Sequence, residues 1–326
     1  MPTNVSPEYK EAEARYRAAK TDEEKLEALE LMASNLNKHK GTEKLYADIK
    51  RRIKQMREAE EKQTAKRGFA LKVEREGAGQ VVLVGPPNVG KSALLAATTN
   101  AKPEVADYPF TTRAPMPGMM KFEDIGIQLV DLPPVPTPHA EGVIYGIIRT
   151  ADAVILVFDL TSLDPSADID AMRTLLLESA KVPLLAKGEA ATPDQRLASK
   201  PALLVGTHLD VPGASDMLDL VREMYAGFGV FGIGQGVPVN AEIARAAFEM
   251  LQLVRVYAKS PGKPADKSKP YVLKKGSTLL DFAGRVHKDF AERLAFARVW
   301  GEGKFDGQRV QRDYVLADKD VVELHM

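Results

Sequence analysis

Apolar residues recur along this chain with two different periods, and the change between them divides it. Near the start, Tyr9, Ala12, Tyr16 and Ala19 follow one another at helical spacing. They stand behind Ser6-Pro7-Glu8, which reads as an N-cap, a proline at the first helical position and an acid for the helix dipole. Thr21-Asp22-Glu23-Glu24 reads as a capping box, with Leu26, Leu29, Met32 and Leu36 continuing the period behind it. Gly41 interrupts the pattern, and after Thr42 the residues Leu45, Ile49, Ile53 and Met56 mark one face of a third helix. Narrow apolar stripes on otherwise charged helices predict a helical hairpin that docks on something, either the chain's own core or a partner.

From about Phe69 the signal shortens. Val81–Val84, Ile127–Val130, Ala153–Phe158 and Ala202–Val205 are short runs of β-branched residues and leucine, separated by stretches of helix length. That alternation predicts an α/β domain with a mostly parallel sheet and crossover helices on both faces. The segment from Lys259 to Pro270, rich in turn formers and charge, reads as the linker that closes it. Beyond it, Tyr271–Leu273, a helical stretch Ser277–Phe296, Ala297–Trp300 and Val321–Leu324 predict a compact α+β unit. No internal repeat stands out.

Composition narrows the class. With 44% apolar and 28% charged residues over 326 positions, the chain is globular and long enough for two or three domains with substantial cores. The absence of cysteine excludes disulfides, thiolate metal sites and cysteine nucleophiles. The polar N-terminus predicts neither a signal peptide nor an anchor. Runs such as Val154–Phe158 are about a third of a bilayer span, so a soluble, cytoplasmic protein with no membrane partner is expected. The zero net charge hides an asymmetry. Residues 1–67 hold 16 Lys+Arg against 13 Asp+Glu and residues 254–326 hold 15 against 10, leaving 14 against 22 for the middle. A basic C-terminal part hints at an anionic partner, while the smaller N-terminal excess reads as solvated helix faces.

Candidate chemistry begins at Gly85-Pro86-Pro87-Asn88-Val89-Gly90-Lys91-Ser92, which fits the phosphate-binding pattern G-x-x-x-x-G-K-[ST]. It follows the strand Val81–Val84 and precedes a helix that opens at Ala93. The glycines let the backbone amides curl toward phosphates, and the helix offers its positive N-terminal end. Lys91 is placed for the β- and γ-phosphates and the Ser92 hydroxyl for Mg²⁺. Asp107-Tyr-Pro-Phe-Thr-Thr112 lies where a switch loop would offer a threonine to Mg²⁺ and the γ-phosphate. Asp131-Leu-Pro133 ends the strand Ile127–Val130, where a carboxylate would hold a magnesium-bound water. Thr207-His208-Leu-Asp210 follows the strand Ala202–Val205, with Asp210 placed to accept the two N–H groups that distinguish guanine from adenine. Val239-Asn240-Ala241 would supply backbone near the guanine O6. The order of these motifs at strand C-terminal ends predicts a guanine-nucleotide switch and disfavours an ATP-driven enzyme.

On these motifs the chain resembles the Obg-related GTPases, and most closely the developmentally regulated GTP-binding (DRG) proteins. The Tyr108-Pro-Phe-Thr-Thr112 segment and a helical hairpin ahead of the GTPase domain are distinctive of that group. The tail is similar to a TGS domain, through Arg255-Val-Tyr-Ala-Lys-Ser-Pro-Gly-Lys263, Leu273-Lys-Lys-Gly-Ser-Thr278, Asp281-Phe282, Ala297-Arg-Val-Trp300, Gln308-Arg-Val310 and Asp320-Val-Val-Glu323. The resemblance implies three parts: an N-terminal helical region over 1–67, a P-loop GTPase domain over 68–253 and a small β-grasp TGS domain over 254–326. It implies GTP and GDP as ligands and Mg²⁺ held by Ser92 and the second threonine, Thr112. Asn88, Lys91 and Thr112 are then the catalytic candidates. Asn88 reads either as a K⁺ ligand that stimulates hydrolysis or as a turn cap. The implied partners are the ribosome or other structured RNA, with a protein regulator also expected and DNA not.

Two departures bear on activity. Proline replaces glycine in Asp131-Leu-Pro133-Pro134, and proline has no N–H for the γ-phosphate. Thr207-His208 stands where the family carries Asn-Lys, so His208 is left to lie along the base. Val135 occupies the place of the water-orienting glutamine of Ras-like enzymes and cannot polarise water. The expected function is a slow GTPase acting as a ribosome- or RNA-associated switch. The alternative is a nucleotide-stabilised adaptor with little turnover that binds through its TGS domain. Trp300 is expected in the small domain's core rather than as an RNA-stacking platform, and the Ala186–Lys200 stretch as a loop. Lys274, Lys275, Arg285, Lys288 and Arg293 read equally as an RNA-facing or a solvated surface, and a catalytic part for His139 is the less favoured reading.

Overall fold

The computed structural model describes residues 7–19, 22–36, 42, 45–54, 56, 73–99, 115–135, 141–191, 193–194, 196–236 and 240–326. The chain forms two compact units, Met1–Lys72 and Val73–Met326. In the first, helices α1 (Pro7–Ala18), α2 (Asp22–Ser34) and α3 (residues 45–54) turn their apolar stripes toward one another. Tyr9 and Ala12, Leu26, Leu29 and Met32, and Ile49 and Ile53 bury in a single cluster. The stripes therefore find a core within the unit itself. Ser6, Thr21 and Gly41 lie outside the described residues.

The second unit is built on two sheets. The larger contains β1 (Gln80–Val84), β2 (Met116–Phe122), β3 (Ile125–Asp131), β4 (Ala153–Asp159), β5 (Leu184–Leu185), β6 (Lys200–Thr207) and β7 (Gly229–Gly232). Their order is β2-β3-β1-β4-β6-β5, with β7 also paired to β6. Only β2 runs antiparallel, to β3. Every residue of β1 is buried, as a strand covered by helices on both faces requires. Helices α4 (Lys91–Thr98) and α8 (Asn240–Met250) cover Val81, Leu83, Ile127 and Ile155 on one face. The alternate residues Val82 and Val84 point to the other face. Helices α5 (Glu141–Thr150), α6 (Pro165–Leu175) and α7 (Ala214–Met224) complete the crossovers.

The smaller sheet takes β8 (Leu253–Ala258), β9 (Tyr271–Lys274), β10 (Phe296–Trp300), β11 (Gln308–Val310) and β12 (Asp320–His325) in the order β11-β10-β12-β8-β9. β8 and β12 pair in parallel and the other neighbours are antiparallel. Helix α9 (Leu279–Val286) buries Leu279, Phe282 and Ala283 completely against this sheet, which makes a β-grasp unit. A capping box between Thr278 and Asp281 starts the helix. Three expectations change here. The segment from Lys259 to Pro270 connects β8 to β9 inside the small sheet, so it closes no domain. The helical stretch expected over Ser277–Phe296 breaks at His287, whose backbone is extended at φ −165° and whose ring accepts from the Asp289 N–H to open α10 (Lys288–Arg293). Trp300 lies outside the small core: it is half-buried on the opposite sheet face, with the Lys259 ammonium 4.3 Å from its ring. Among the described residues no helix is long and apolar enough to cross a membrane.

Arg255, on β8, joins the two sheets. Its side chain is only 2% exposed. It donates to Asp318 at 2.7 Å, to Glu123 at 2.7 Å and to Asp124 at 2.8 Å, the last two at the tip of the β2–β3 hairpin. Its guanidinium also stacks on Phe122 and Phe248, whose rings lie 4.9 Å apart. The Asp318 hydrogen bonds, against the cost of burial, push its pKa further above the ordinary arginine value. Hydrogen bonds from Lys319 and then Arg255 hold Glu123 below its ordinary value. Burial works against the Asp124 charge, but the Tyr257 hydroxyl and Arg255 lower its pKa on balance.

Replacing Arg255 by Met takes the guanidinium from Asp124 and Asp318 and leaves Lys319 as the cation beside Glu123. It is expected to destabilise the second unit by about 3 kcal/mol in denaturant titrations, and Arg255→Lys to recover only part of that because an ammonium cannot serve the fork. A loss below about 0.5 kcal/mol would show that the cluster holds nothing together. Because both hairpin carboxyls titrate below their unfolded values, their contribution is complete above about pH 5 and vanishes as pH falls through the folded values. Stability should therefore decline on acidification more steeply in the parent than in Arg255→Met.

Candidate nucleotide-binding site

The residues from β1 to α4 form a tight loop whose backbone is shaped by two glycines. A Cβ on Gly85 would collide with the Val157 carbonyl oxygen, and Gly90 sits at φ 88° with the Thr207 side chain 2.9 Å from where a Cβ would be. Gly90 is the N-cap of α4, and no side chain caps that end. Its first amides face the loop, the arrangement that suits a phosphate. Lys91 is 7% exposed and donates to the Gly85 carbonyl at 2.9 Å and the Pro86 carbonyl at 2.7 Å. Asn88 has φ 59°, a left-handed conformation that asparagine tolerates, which accounts for the residue as a turn former. Pro87, Asn88, Ser92 and Ala93 are exposed, and Val89 is buried beneath them.

The parallel register of β1 and β3 sets Asp131 across from Leu83, so the end of β3 arrives beside the start of α4. The Ser92 hydroxyl donates to the Asp131 carboxylate at 2.5 Å. A hydroxyl and a carboxylate held together are hard oxygen donors of the kind Mg²⁺ takes, and the pair fits that ion. Leu132 and Val135 are buried, which turns the Val135 side chain into the fold and away from any water to be activated. Pro134 is half-exposed between them.

At the other end of the site Thr207 closes β6. Its hydroxyl lies 3.0 Å from the Val89 carbonyl and 3.2 Å from the Phe158 carbonyl, which ties the phosphate loop to β4. His208 follows at φ 61° and places Nδ1 2.9 Å from the Asp159 carboxylate. Burial opposes the Asp159 charge, yet hydrogen bonds from Thr161 and His208 bring its pKa below the ordinary value. Asp210 is exposed, and one carboxylate oxygen accepts from the Gln235 N–H at 3.0 Å. Gly234 approaches so closely that a Cβ there would lie 2.6 Å from both the Asp210 nitrogen and its carboxylate.

The segment beside Asp210 is therefore Ile233–Gly236, immediately after β7, and the sequence reading missed it. The Gly-rich run gives no strand signal, and only pairing of β7 with β6 brings it there. Asn240 and Ala241, expected near the base, are the first residues of α8, and Val239 lies outside the described residues. So do His139 and the whole Asp107–Thr112 segment, including Thr111 and Thr112. Lys274, Lys275, Arg285, Lys288 and Arg293 are all exposed.

Comparison with known proteins agrees with this geometry. Residues 80–187 match the family described as 50S ribosome-binding GTPase, and residues 254–326 match the TGS domain. A GTP-binding protein of Halobacterium salinarum is 30% identical over 93% of this chain and 98% of its own length. The developmentally-regulated GTP-binding protein 2 of Mus musculus is 24% identical over 92% of this chain and 98% of its own. The chain belongs to the DRG family of GTP-binding proteins. Among solved structures the YchF GTPase of Schizosaccharomyces pombe superposes at a TM-score of 0.52, covering 77% of this chain and 99% of that one at 12% identity, a likeness of fold alone. As a DRG-family protein the chain is a GTP-binding member of the P-loop GTPase class, with its guanine nucleotide bound by the GTPase domain.

Gly234→Ala should push Asp210 out of place and weaken GDP binding about tenfold, or ~1.4 kcal/mol. Gly142→Ala, where a Cβ meets nothing within 4 Å, serves as the control and should bind as the parent does. A fluorescent-GDP titration checks both. Equal affinities would remove Ile233–Gly236 from the base end of the site.

Proposed function

We propose that this DRG-family protein is a slow, Mg²⁺-dependent GTPase of the cytoplasm whose nucleotide state governs docking on the ribosome or other structured RNA through its TGS domain. The observation that carries this reading is the path from site to tail. The β2–β3 hairpin begins just after the Asp107–Thr112 segment and ends at Asp131, and Arg255 fastens its tip to the TGS sheet. A change of backbone at either end of the hairpin has the buried Arg255 and its carboxylate partners through which to reach the TGS domain.

In this reading Gly85–Ser92 and the first amides of α4 wrap the phosphates. Lys91 exchanges its two carbonyl partners for β- and γ-phosphate oxygens. Ser92 and Thr112 hold Mg²⁺, with Asp131 behind it, and the ion supplies neutralisation of the phosphate charge. Asp210 selects guanine through its two oxygens, with Gln235 steadying one of them. His208 lies along the base in place of a lysine stem. With Val135 buried, no side chain at that place orients the attacking water, so turnover is slow.

Pro134 favours a second reading, a nucleotide-stabilised adaptor with little turnover, because a missing N–H removes one contact to the γ-phosphate, worth ~1–3 kcal/mol for a charged acceptor. Single-turnover GTP hydrolysis with and without ribosomes, beside GDP titration competed by ATP, separates the two. The switch reading expects GDP binding that resists ATP and hydrolysis that ribosomes raise. Binding without turnover under any condition leaves the adaptor. Pro134→Gly should then raise the hydrolysis rate roughly tenfold. If Asn88 holds K⁺, hydrolysis is faster in KCl than in NaCl and Asn88→Ala erases the difference. Equal rates leave Asn88 a turn residue.

A further inference from the structure

Helix α7 carries two apolar stripes where one suffices to bury it. Ala214, Leu218, Val221 and Tyr225 face the core. Met217, Leu220 and Met224 form a second stripe at positions i, i+3 and i+7, and Leu220 and Met224 remain 49% and 55% exposed. Across from this stripe Leu163 stands fully exposed just before Asp164, the N-cap of α6. A leucine in that place ordinarily packs on the fourth helical residue. Here that residue is Asp168, already bonded to the Ser162 hydroxyl, so the leucine has no such mate. Leu163 instead lines a groove of about 150 Å³ with Met217, Leu220 and Met224. Met224 also borders a second, wider hollow of about 410 Å³, where the Arg173 guanidinium lies over the Tyr225 and Phe228 rings and ends the apolar strip.

The rim decides what fits. Asp164 lines the groove, and the flanking segments 163–175 and 211–225 also carry Asp168, Asp170, Asp216, Asp219 and Glu223 against only Arg173 and Arg222. Both arginines are engaged, with Asp170 at 3.1 Å and Asp219 at 2.9 Å. A rim of that sign repels nucleic acid and anionic lipid, and a second copy would oppose acid to acid. We propose that the groove between α6 and α7 receives the apolar face of a basic amphipathic helix from a partner protein. Its i, i+3, i+7 anchors interleave with Met217, Leu220 and Met224, and its lysines or arginines meet the acidic rim. The surface is separate from the nucleotide residues, although the loop from Asp159 to Leu163 touches both places.

The test uses the full chain and a labelled peptide of roughly five helical turns with leucine on one stripe and lysine elsewhere. A peptide with the same stripe and glutamate elsewhere is the counterpart. Fluorescence anisotropy should show binding of the leucine–lysine peptide only, weakened roughly tenfold by the exposed double substitution Leu220→Ser/Met224→Ser. Asp216→Asn/Glu223→Gln should also bind more weakly than the parent, by a margin that grows as salt is lowered and the parent's charge is less screened. Unchanged GDP binding certifies that the variants are folded. Equal binding of both peptides, or indifference to the serine variant, would overturn the proposal. So would a dimer in sedimentation that the serine variant dissolves, since a second copy would then own the groove.

Discussion

A buried guanidinium fastens the β2–β3 hairpin to the smaller sheet. Arg255 is taken out of water, and that cost is offset only because three carboxylates and two aromatic faces surround it in a geometry its planar fork can satisfy. The consequence is directional. Two of its partners lie on the one hairpin that connects the segment before β2 to Asp131, so the TGS sheet is fastened to that hairpin, while Leu253 and Val272 also pack into the GTPase core. On the same face of the TGS sheet the Lys259 ammonium lies over Trp300 and pairs with the buried Glu323.

The phosphate loop shows the same economy of constraint. Its curvature is enforced from outside by the Val157 carbonyl and the Thr207 side chain, which leave no room for a Cβ at Gly85 or Gly90. Thr207 holds the loop to β4 and β6 through its hydroxyl, so a residue whose neighbours concern the base also fixes the phosphate end. Lys91 rests on two loop carbonyls, where its charge is satisfied until a better anion arrives.

The departures from the family pattern fall on both ends of the site and spare its centre. Pro134 is half-exposed and has no N–H to offer, and the His208 ring is paired with Asp159. Between them Lys91 rests on the loop carbonyls, Ser92 is bonded to Asp131, and Asp210 stands against Gly234.

The sequence determined whatever depends on neighbours along the chain. β1, the glycine-shaped loop and α4 are contiguous, so their pattern is legible without knowing the rest. The hydrophobic runs of β3, β4 and β6 are equally plain, because strands covered on both faces must be apolar throughout. The helical hairpin's stripes were visible too, though not the fact that they cover one another. Tertiary structure alone decided the rest. β7 is Gly-Val-Phe-Gly and takes its strand form from pairing with β6, and only that pairing delivers Gln235 to Asp210. The Lys259–Pro270 segment looks like a linker but lies within a sheet whose strands are far apart in sequence. Arg255 gives no local sign of its role, since its partners at Glu123, Asp124 and Asp318 are distant along the chain. Such contacts carry no periodic signature, and chain closure in three dimensions is what brings them together.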